Sequence, residues 1–396
     1  LGVGILWFMP IYPRGGNPPD RTQTHSPYCV RDYFNVDPRY GTKEDFKHLV
    51  AEIHRAGMYV LLDFVPNHTS FGNELIAKHP EFYRGDADGK PVKTEAWPEM
   101  AQLDYRNRDV WEYMLKARSY WISEFGIDGF REDVPDALPA EHWHWLRPKL
   151  NAIKPVFMLA ESDLPRQYPA FDLTYDARLQ VYFYMIVRGD WKADSLDRFL
   201  EEERKEYPPY ALRMRHLSNH DMQGDRFSYF NRRHIDSKEL PFLKEVPLQQ
   251  KYGAAQQACA VICATLPNSI PMIWTGQELG VLGPTPGKLE WRETPYQEFY
   301  SKLFNAFQAN LAFQQGSFAR ISSGMDDRVF AFRRVHGDND VLVAVNLSKQ
   351  AQTFTPREEI GADYAEVFTG ERVKFAGRPE MKLDAWGYRI YVRGKE

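Results

Sequence analysis

The chain has 396 residues, of which 43% are hydrophobic and 26% charged, and these proportions exclude collagen-like, coiled-coil and disordered proteins. Its 54 acidic and 50 basic residues nearly balance. The sequence has no run of basic residues of the kind that binds a phosphate backbone, so we expect no nucleic-acid partner. No stretch has the roughly 18 apolar residues that a membrane span needs, and three cysteines are too few for a disulfide framework.

Seven short apolar runs alternate with helical segments along most of the chain. They lie at residues 3–10, 58–65, 127–133, 155–162, 171–176, 213–219 and 269–276. Near-continuous hydrophobicity without alternation is typical of strands that are buried on both faces. We therefore predict a parallel sheet with helices outside it.

Two of the helical segments carry clear boundaries. Thr42 caps the first and Gly57 stops it, while Asn107 caps the second and Gly126 stops it. The predicted buried faces are Phe46, Leu49, Val50 and Ile53 in the first helix, and Val110, Met114, Ala117, Trp121 and Phe125 in the second.

The alternation of strands and helices stops near residue 318, where shorter strand-like stretches separated by turn residues begin. We predict a catalytic (β/α) barrel at 1–319 and a C-terminal β-sandwich-like domain at 320–396. A long polar connection at about 66–108 forms a loop subdomain after a barrel strand. Long connections of this kind usually carry function.

Unusual polar residues follow the predicted strands, at the end where parallel barrels place their chemistry. They are Asp63, Asn67, His68, Arg131, Asp133, Glu161, Asn219, His220 and Asp221. Residues two apart on a strand share a face, so Arg131 and Asp133 point one way while Glu132 points toward the helices as a structural partner. The guanidinium would keep Asp133 ionised, as a nucleophile requires.

Glu161 follows an apolar run with no adjacent basic residue, and we expect it to hold its proton more tightly than Asp133. Two carboxyl groups with unequal proton affinities form the acid and nucleophile pair of retaining glycosidases. Asp221, beside His220, would add negative charge where a positive transition state develops. Asn219 has a simpler interpretation as a residue that shapes its turn.

The segments DFVPNH, GFRED, MLAESD and SNHD, in this order, look like the four signature segments of the α-amylase family of glycoside hydrolases. TGQELG at 275–280 and the stretch at 28–50 resemble further segments of that family. The resemblance implies Asp133 as nucleophile, Glu161 as general acid/base and Asp221 as transition-state stabiliser. It also implies substrate contacts from Tyr28, Asp63, His68, Arg131 and His220.

The same resemblance implies no redox or organic cofactor, and Asn67 matches a position that binds calcium in many family members. The N-terminus resembles the second barrel strand of the family. We therefore expect a TIM-type barrel that is incomplete or atypically closed on its N-terminal side. An exposed seam of this kind favours a homo-oligomer. The N-terminus has no signal-peptide pattern, but its truncated appearance leaves the localisation open.

The predicted activity is retaining hydrolysis of α-1,4-glucosidic bonds in starch-like glucans or maltooligosaccharides. One alternative is an α-glucan transglycosylase, which carries the same motifs. Another is a non-catalytic sugar-binding relative, which loss of a triad carboxylate would mark, and none is lost. A phosphate-binding barrel enzyme would need a Gly-rich loop near the last strands, which GQELG does not provide.

Overall fold

The computed structural model describes residues 1–15, 26–222, 248–282 and 289–393. They form two compact units. One comprises Val3–Thr174, and the other comprises Leu1–Gly2 together with Tyr175–Glu396.

The first unit contains a parallel sheet with helices between its strands. Its elements in chain order are β1 (Ile5–Phe8), α1 (Lys43–Arg55), β2 (Tyr59–Phe64), β3 (His68–Ser70), α2 (Leu75–Lys78), β4 (Met100–Gln102), α3 (Arg108–Phe125), β5 (Gly129–Glu132), α4 (Ala140–Ile153), β6 (Phe157–Ala160) and β7 (Leu173–Tyr175). Strands β1, β2, β5, β6 and β7 lie side by side in that order, all parallel. The carboxyl ends of β2, β5 and β6 therefore meet at one edge.

The helix boundaries predicted from the sequence are confirmed. Thr42 and Asp45 form a reciprocal capping box at the start of α1, which satisfies backbone N–H groups that the helix leaves unpaired. Gly126 ends α3 in the left-handed conformation, which glycine adopts without a steric penalty.

The predicted buried face of α3 is confirmed, since all five of its residues are buried. In α1 the prediction is wrong for Leu49, which is 42% exposed. Phe46, Val50 and Ile53 follow the i, i+4, i+7 row that faces the sheet. Leu49 falls on the solvent edge of that apolar stripe.

Aromatic rings fill much of the core of the first unit. Tyr12, Tyr33, Phe64 and Trp121 are all fully buried. Tyr33 stacks on Phe64 with ring centroids 5.2 Å apart, and Tyr12 meets Trp121 edge-on at 5.7 Å. A buried side chain of this size contributes roughly 1.5–3 kcal/mol relative to an exposed one. Much of the aromatic content therefore serves packing.

The long connection after β2 has its own structure, in which β3 and β4 pair antiparallel. The hydroxyl of Tyr33 donates to the carbonyl oxygens of Val65 and His68, at 2.7 and 3.1 Å. Tyr33 belongs to the buried core beneath the sheet, so these bonds fix the start of the connection. As a result, His68 lies on an anchored strand and not on a loose loop.

The second unit begins with helices and two parallel strands and ends in antiparallel sheet. Its elements are α5 (Ala177–Arg188), α6 (Ser195–Glu206), β8 (Leu212–Arg215), α7 (Leu248–Tyr252), α8 (Gln256–Thr265), β9 (Ser269–Pro271), α9 (Pro295–Ala309), α10 (Leu311–Gln315), β10 (Ser317–Ile321), β11 (Val329–His336), β12 (Asn339–Asn346), β13 (Gln352–Phe354), β14 (Ala362–Glu366), β15 (Arg372–Phe375), β16 (Met381–Leu383) and β17 (Tyr388–Arg393). Strands β8 and β9 pair in parallel.

The C-terminal strands form a six-stranded antiparallel sheet in the order β10-β11-β12-β17-β14-β15, and β13 pairs separately with β16. The antiparallel β structure predicted for this end of the chain is confirmed. Strand β10 begins at Ser317, and the exact domain boundary at 319/320 stays a prediction.

Two expectations from composition concern cysteines and membrane spans. The three cysteines are free and buried, and Cys259 and Cys263 pack within α8. Among the described residues, no helix combines the length and the apolar character that a membrane crossing requires.

Candidate active site

One buried arginine gathers three carboxyl groups at the carboxyl ends of adjacent strands. Arg131 Nη1 lies 2.9 Å from Asp63 Oδ1 and 2.8 Å from Asp133 Oδ1. Its Nη2 lies 2.7 Å from Glu161 Oε1. Asp63 stands directly opposite Arg131 in the register of β2 and β5. The structure thus brings together residues from three separate sequence motifs.

The alternation of side chains along β5 separates two buried ion pairs. Arg131 and Asp133 point to one face, whereas Glu132 points to the other and binds Arg118 of α3 through bonds of 2.7 and 2.6 Å. Both side chains of that second pair are fully buried. The predicted structural role of Glu132 is confirmed, because it ties β5 to a helix on the far side of the sheet from Asp133.

No basic residue adjoins Glu161 in the sequence, but the fold brings Arg131 to it, so its tighter hold on a proton stays a prediction. Strands β5 and β6 are adjacent, with Arg131 opposite Leu159, and the long guanidinium reaches two residues further along to the Glu161 carboxyl group. The second oxygen of that carboxyl accepts the N–H of Val134 at 2.9 Å. Since both carboxyls bind one planar guanidinium fork, the bonded oxygens of Asp133 and Glu161 lie within about 8 Å of each other.

Asp63 is fully buried and has two further donors, Tyr28 Oη at 3.0 Å and Trp7 Nε1 at 3.3 Å. The pKa of Asp63 is raised to about 8. Burial is the largest cause, Arg131 acts in the opposite direction, and the charge of Asp133 raises the pKa further. Withdrawal from water disfavours the charged carboxylate, and a second carboxyl nearby disfavours it further. Burial therefore favours the protonated form of Asp63, whereas Arg131 favours the charged form.

Two aromatic rings border the arginine. The guanidinium carbon of Arg131 lies 5.5 Å from the ring centroids of both Trp7 and Tyr28, within the range of cation–π attraction. Tyr28, predicted as a platform for sugar, thus stands beside the carboxyl cluster. Trp7 was not predicted, because β1 reads only as an apolar strand and nothing in its sequence distinguishes a site residue from a core residue.

His68 lies on β3 as a buried residue. Its ring centroid is 5.4 Å from that of Trp97, and its Nε2 has no hydrogen-bond partner among the described residues. Burial lowers the pKa of His68, so the imidazole is neutral at pH 7. A buried nitrogen without a partner is costly unless a ligand or water binds it.

Asn67, which matches a calcium-binding position of the family, makes hydrogen bonds within the protein. Its carboxamide oxygen accepts from Gln102 Nε2 at 2.9 Å, and its amide nitrogen is 3.2 Å from His68 Nδ1. The described part of the chain contains no cluster of three or more His, Cys, Asp or Glu residues suited to a metal ion. Calcium binding by Asn67 stays a prediction, and no step below involves a metal.

His220 and Asp221 belong to the second unit, shortly after β8. The Asn219 side-chain oxygen accepts the N–H groups of Asp221 and Met222, at 3.0 and 3.2 Å, which confirms that Asn219 shapes this turn. His220 Nε2 is 3.4 Å from Asp221 Oδ2, and the His220 ring lies 5.7 Å from that of Trp274. The roles predicted for His220 and Asp221 stay predictions.

Comparison with known families finds matches at both ends of the chain. Residues 1–88 match "Alpha amylase, catalytic domain" and residues 320–390 match "Maltogenic Amylase, C-terminal domain". Alpha-amylase 2 of Dictyoglomus thermophilum is 25% identical over 93% of this chain. A cyclomaltodextrinase of a Bacillus species is 28% identical over 89% of it. The chain is thus similar to α-amylases and cyclomaltodextrinases over most of its length.

Among solved structures, the chain resembles a maltogenic α-amylase, AmyB, from Thermotoga neapolitana. The TM-score is 0.84 at 26% identity, covering 100% of this chain and 91% of that one. The predicted fold class, a (β/α) barrel with a C-terminal antiparallel β domain, is confirmed. Its closure on the N-terminal side stays a prediction. The chain spans 65% and 64% of the lengths of the Dictyoglomus and Bacillus relatives.

Proposed function

We propose that the chain is a retaining glycoside hydrolase that cleaves α-1,4-glucosidic bonds in starch-like glucans or maltooligosaccharides. The observation that carries this proposal is the binding of Asp133 and Glu161 to one buried guanidinium at neighbouring strand ends. Relatives named α-amylase and cyclomaltodextrinase support the substrate class.

In the first step Asp133 attacks the anomeric carbon and its carboxylate forms an ester with the sugar. The bond from that carbon to the glycosidic oxygen breaks, and Glu161 donates its proton to the departing oxygen. The Asp133 oxygen bound to Arg131 stays anchored, so the second oxygen is available for attack. The leaving chain departs with a new hydroxyl group.

In the second step the Glu161 carboxylate takes a proton from water as the water oxygen attacks the same carbon. The ester to Asp133 breaks, the free sugar is released with its original anomeric configuration, and Glu161 is again protonated. The chemistry needs no cofactor. An acceptor sugar in place of water would give transglycosylation, which product analysis distinguishes.

Substrate binding in this proposal combines aromatic and polar contacts. Tyr28 provides a ring beside the carboxyl cluster, and the Asp63 carboxyl group is proposed to form hydrogen bonds with sugar hydroxyls. The unpartnered Nε2 of His68 suits a sugar hydroxyl. Arg131 fixes the carboxyls. For His220 and Asp221 we propose the roles that the family motif implies, a sugar contact and stabilisation of the transition state.

The test compares the chain with its Asp133→Asn variant on soluble starch and maltooligosaccharides. We expect a loss of about a thousandfold or more in hydrolysis, because an amide cannot form the ester intermediate. Asp136→Asn is the matched control, since the Asp136 carboxylate accepts hydrogen bonds from Ser162 and Gln167. Full activity of the Asp133 variant, with both variants folded, would remove the assigned nucleophile.

A further inference from the structure

Val134, the residue after Asp133, has an unusual backbone. Its φ of 37° and ψ of 54° lie in the left-handed region, where the only other non-glycine residues of the described chain are Asn268 and Trp386. For a β-branched side chain this conformation is a genuine outlier. Such strain persists only where the surroundings enforce it, and it concentrates at functional sites.

The segment is clamped on both sides of Val134. The N–H of Asp133 donates to the Phe64 carbonyl oxygen at 2.9 Å, which ties the preceding residue to β2. On the other side, Trp143 Nε1 donates to the Pro135 carbonyl oxygen at 3.1 Å. The proline ring itself disfavours the right-handed helical conformation for the residue before it.

The strained backbone directs one N–H group at the second carboxyl of the site. Val134 N donates to Glu161 Oε2 at 2.9 Å, while Arg131 binds Glu161 Oε1 at 2.7 Å. One oxygen of Glu161 thus pairs with the Arg131 guanidinium, and the other accepts the Val134 N–H. The Val134 N–H belongs to the peptide bond that follows Asp133, so it links the position of Glu161 to that of Asp133.

We propose that Val134 is a positioning residue, whose left-handed backbone holds the Glu161 carboxyl in a fixed place relative to Asp133. The inference rests on the proposed function and adds a residue that acts through the acid/base group without touching the reacting atoms. A right-handed conformation would turn the N–H away from Glu161 and remove this contact from its carboxyl group.

The test uses Val134→Gly, with Val134→Thr as its matched control. Glycine occupies the left-handed region without strain but also other regions, so the N–H is no longer held on Glu161. We expect the melting temperature of the glycine variant to equal or exceed that of the parent. We expect its rate of maltooligosaccharide hydrolysis to fall about tenfold, because general acid catalysis by Glu161 is weakened but not abolished. Threonine keeps the branched side chain and the rate.

A second substrate separates positioning of Glu161 from damage to Asp133. Fluoride leaves maltosyl fluoride without needing a proton, so the first-turnover release of fluoride depends on Asp133 and not on the acid. We expect the glycine variant to keep this release and to lose only the acid-dependent cleavage. Normal oligosaccharide hydrolysis, or an equal loss on both substrates, would overturn the proposal for Val134. Turnover of both substrates by Asp133→Asn would instead overturn the proposed function.

Discussion

At the scale of single residues, Arg131 shows what the sequence could and could not predict. Its pairing with Asp133 follows from the two-residue spacing on one strand. Its contacts with Asp63 and Glu161 depend on the order and register of three strands, which no local pattern encodes. For the same reason the sequence did not distinguish Trp7, or the Val134 N–H, as part of the site.

His142 is a second residue whose environment governs its chemistry. It is fully buried on α4, and neither ring nitrogen has a hydrogen-bond partner among the described residues. The rings of Tyr105, Trp111 and Trp143 lie 4.9, 5.0 and 4.9 Å from its own. Burial, and then the charges of Arg118 and Arg108, lower the pKa of His142 to about 2.

This environment predicts acid sensitivity of the fold. The folded state keeps His142 neutral, whereas the unfolded chain protonates it near pH 6.5, so its stabilising contribution is complete above that pH and is lost as the pH falls. Between pH 6.5 and 5 the free energy of unfolding should drop by about 2 kcal/mol from this residue. Urea unfolding at several pH values, compared with His142→Phe, measures the difference.

The phenylalanine variant should lack this part of the pH dependence. His144→Phe is the control, because His144 lies exposed on the same helix. Parallel stability curves for the parent and the His142 variant would contradict the account of a neutral, buried imidazole.

At the scale of elements, the site depends on close contact between β5 and β6. A Cβ atom at Gly129 would lie 1.8 Å from the Phe157 carbonyl oxygen, a backbone atom that cannot move without shifting β6. A Cβ atom at Gly126, which ends α3, would meet nothing within 4 Å. The two glycines therefore have different roles. Gly129 allows β5 and β6 to approach closely, and Gly126 allows the left-handed turn that ends α3.

Gly129→Ala should cost about 4 kcal/mol or more of unfolding free energy, in the range of severe overpacking. Gly126→Ala should cost only about 1–2 kcal/mol, the penalty for a side chain in the left-handed region. Chemical denaturation of both variants provides the measurement. Equal losses would show that the contact between β5 and β6 is not as tight as described.

Strands and helices were largely predictable because their signals are local. Each of the seven apolar runs overlaps a strand. The caps at Thr42 and Asn107 lie where polar side chains precede an apolar stripe. Leu49 was wrongly predicted to be buried. The sequence pattern does not distinguish a buried from an exposed apolar residue at the edge of an apolar stripe.

At the scale of the whole molecule, non-local pairing limited the prediction. In the C-terminal sheet the last strand, β17, lies between β12 and β14, an order that sequence spacing does not reveal. The alternating strands themselves were evident, and the family match at residues 320–390 covers them. The homo-oligomer and the unusual closure of the barrel stay predictions.

The central claim is that Asp133 attacks the sugar while Glu161 supplies and removes the proton. Incubating the chain with a fluorinated maltosyl fluoride, whose electron-poor ring slows breakdown of a glycosyl ester, should trap that ester for mass spectrometry of the digested protein. We predict one added sugar unit on the peptide that contains Asp133. Attachment at another carboxylate, such as Asp63 or Asp221, or release of product with inverted configuration, would contradict the account.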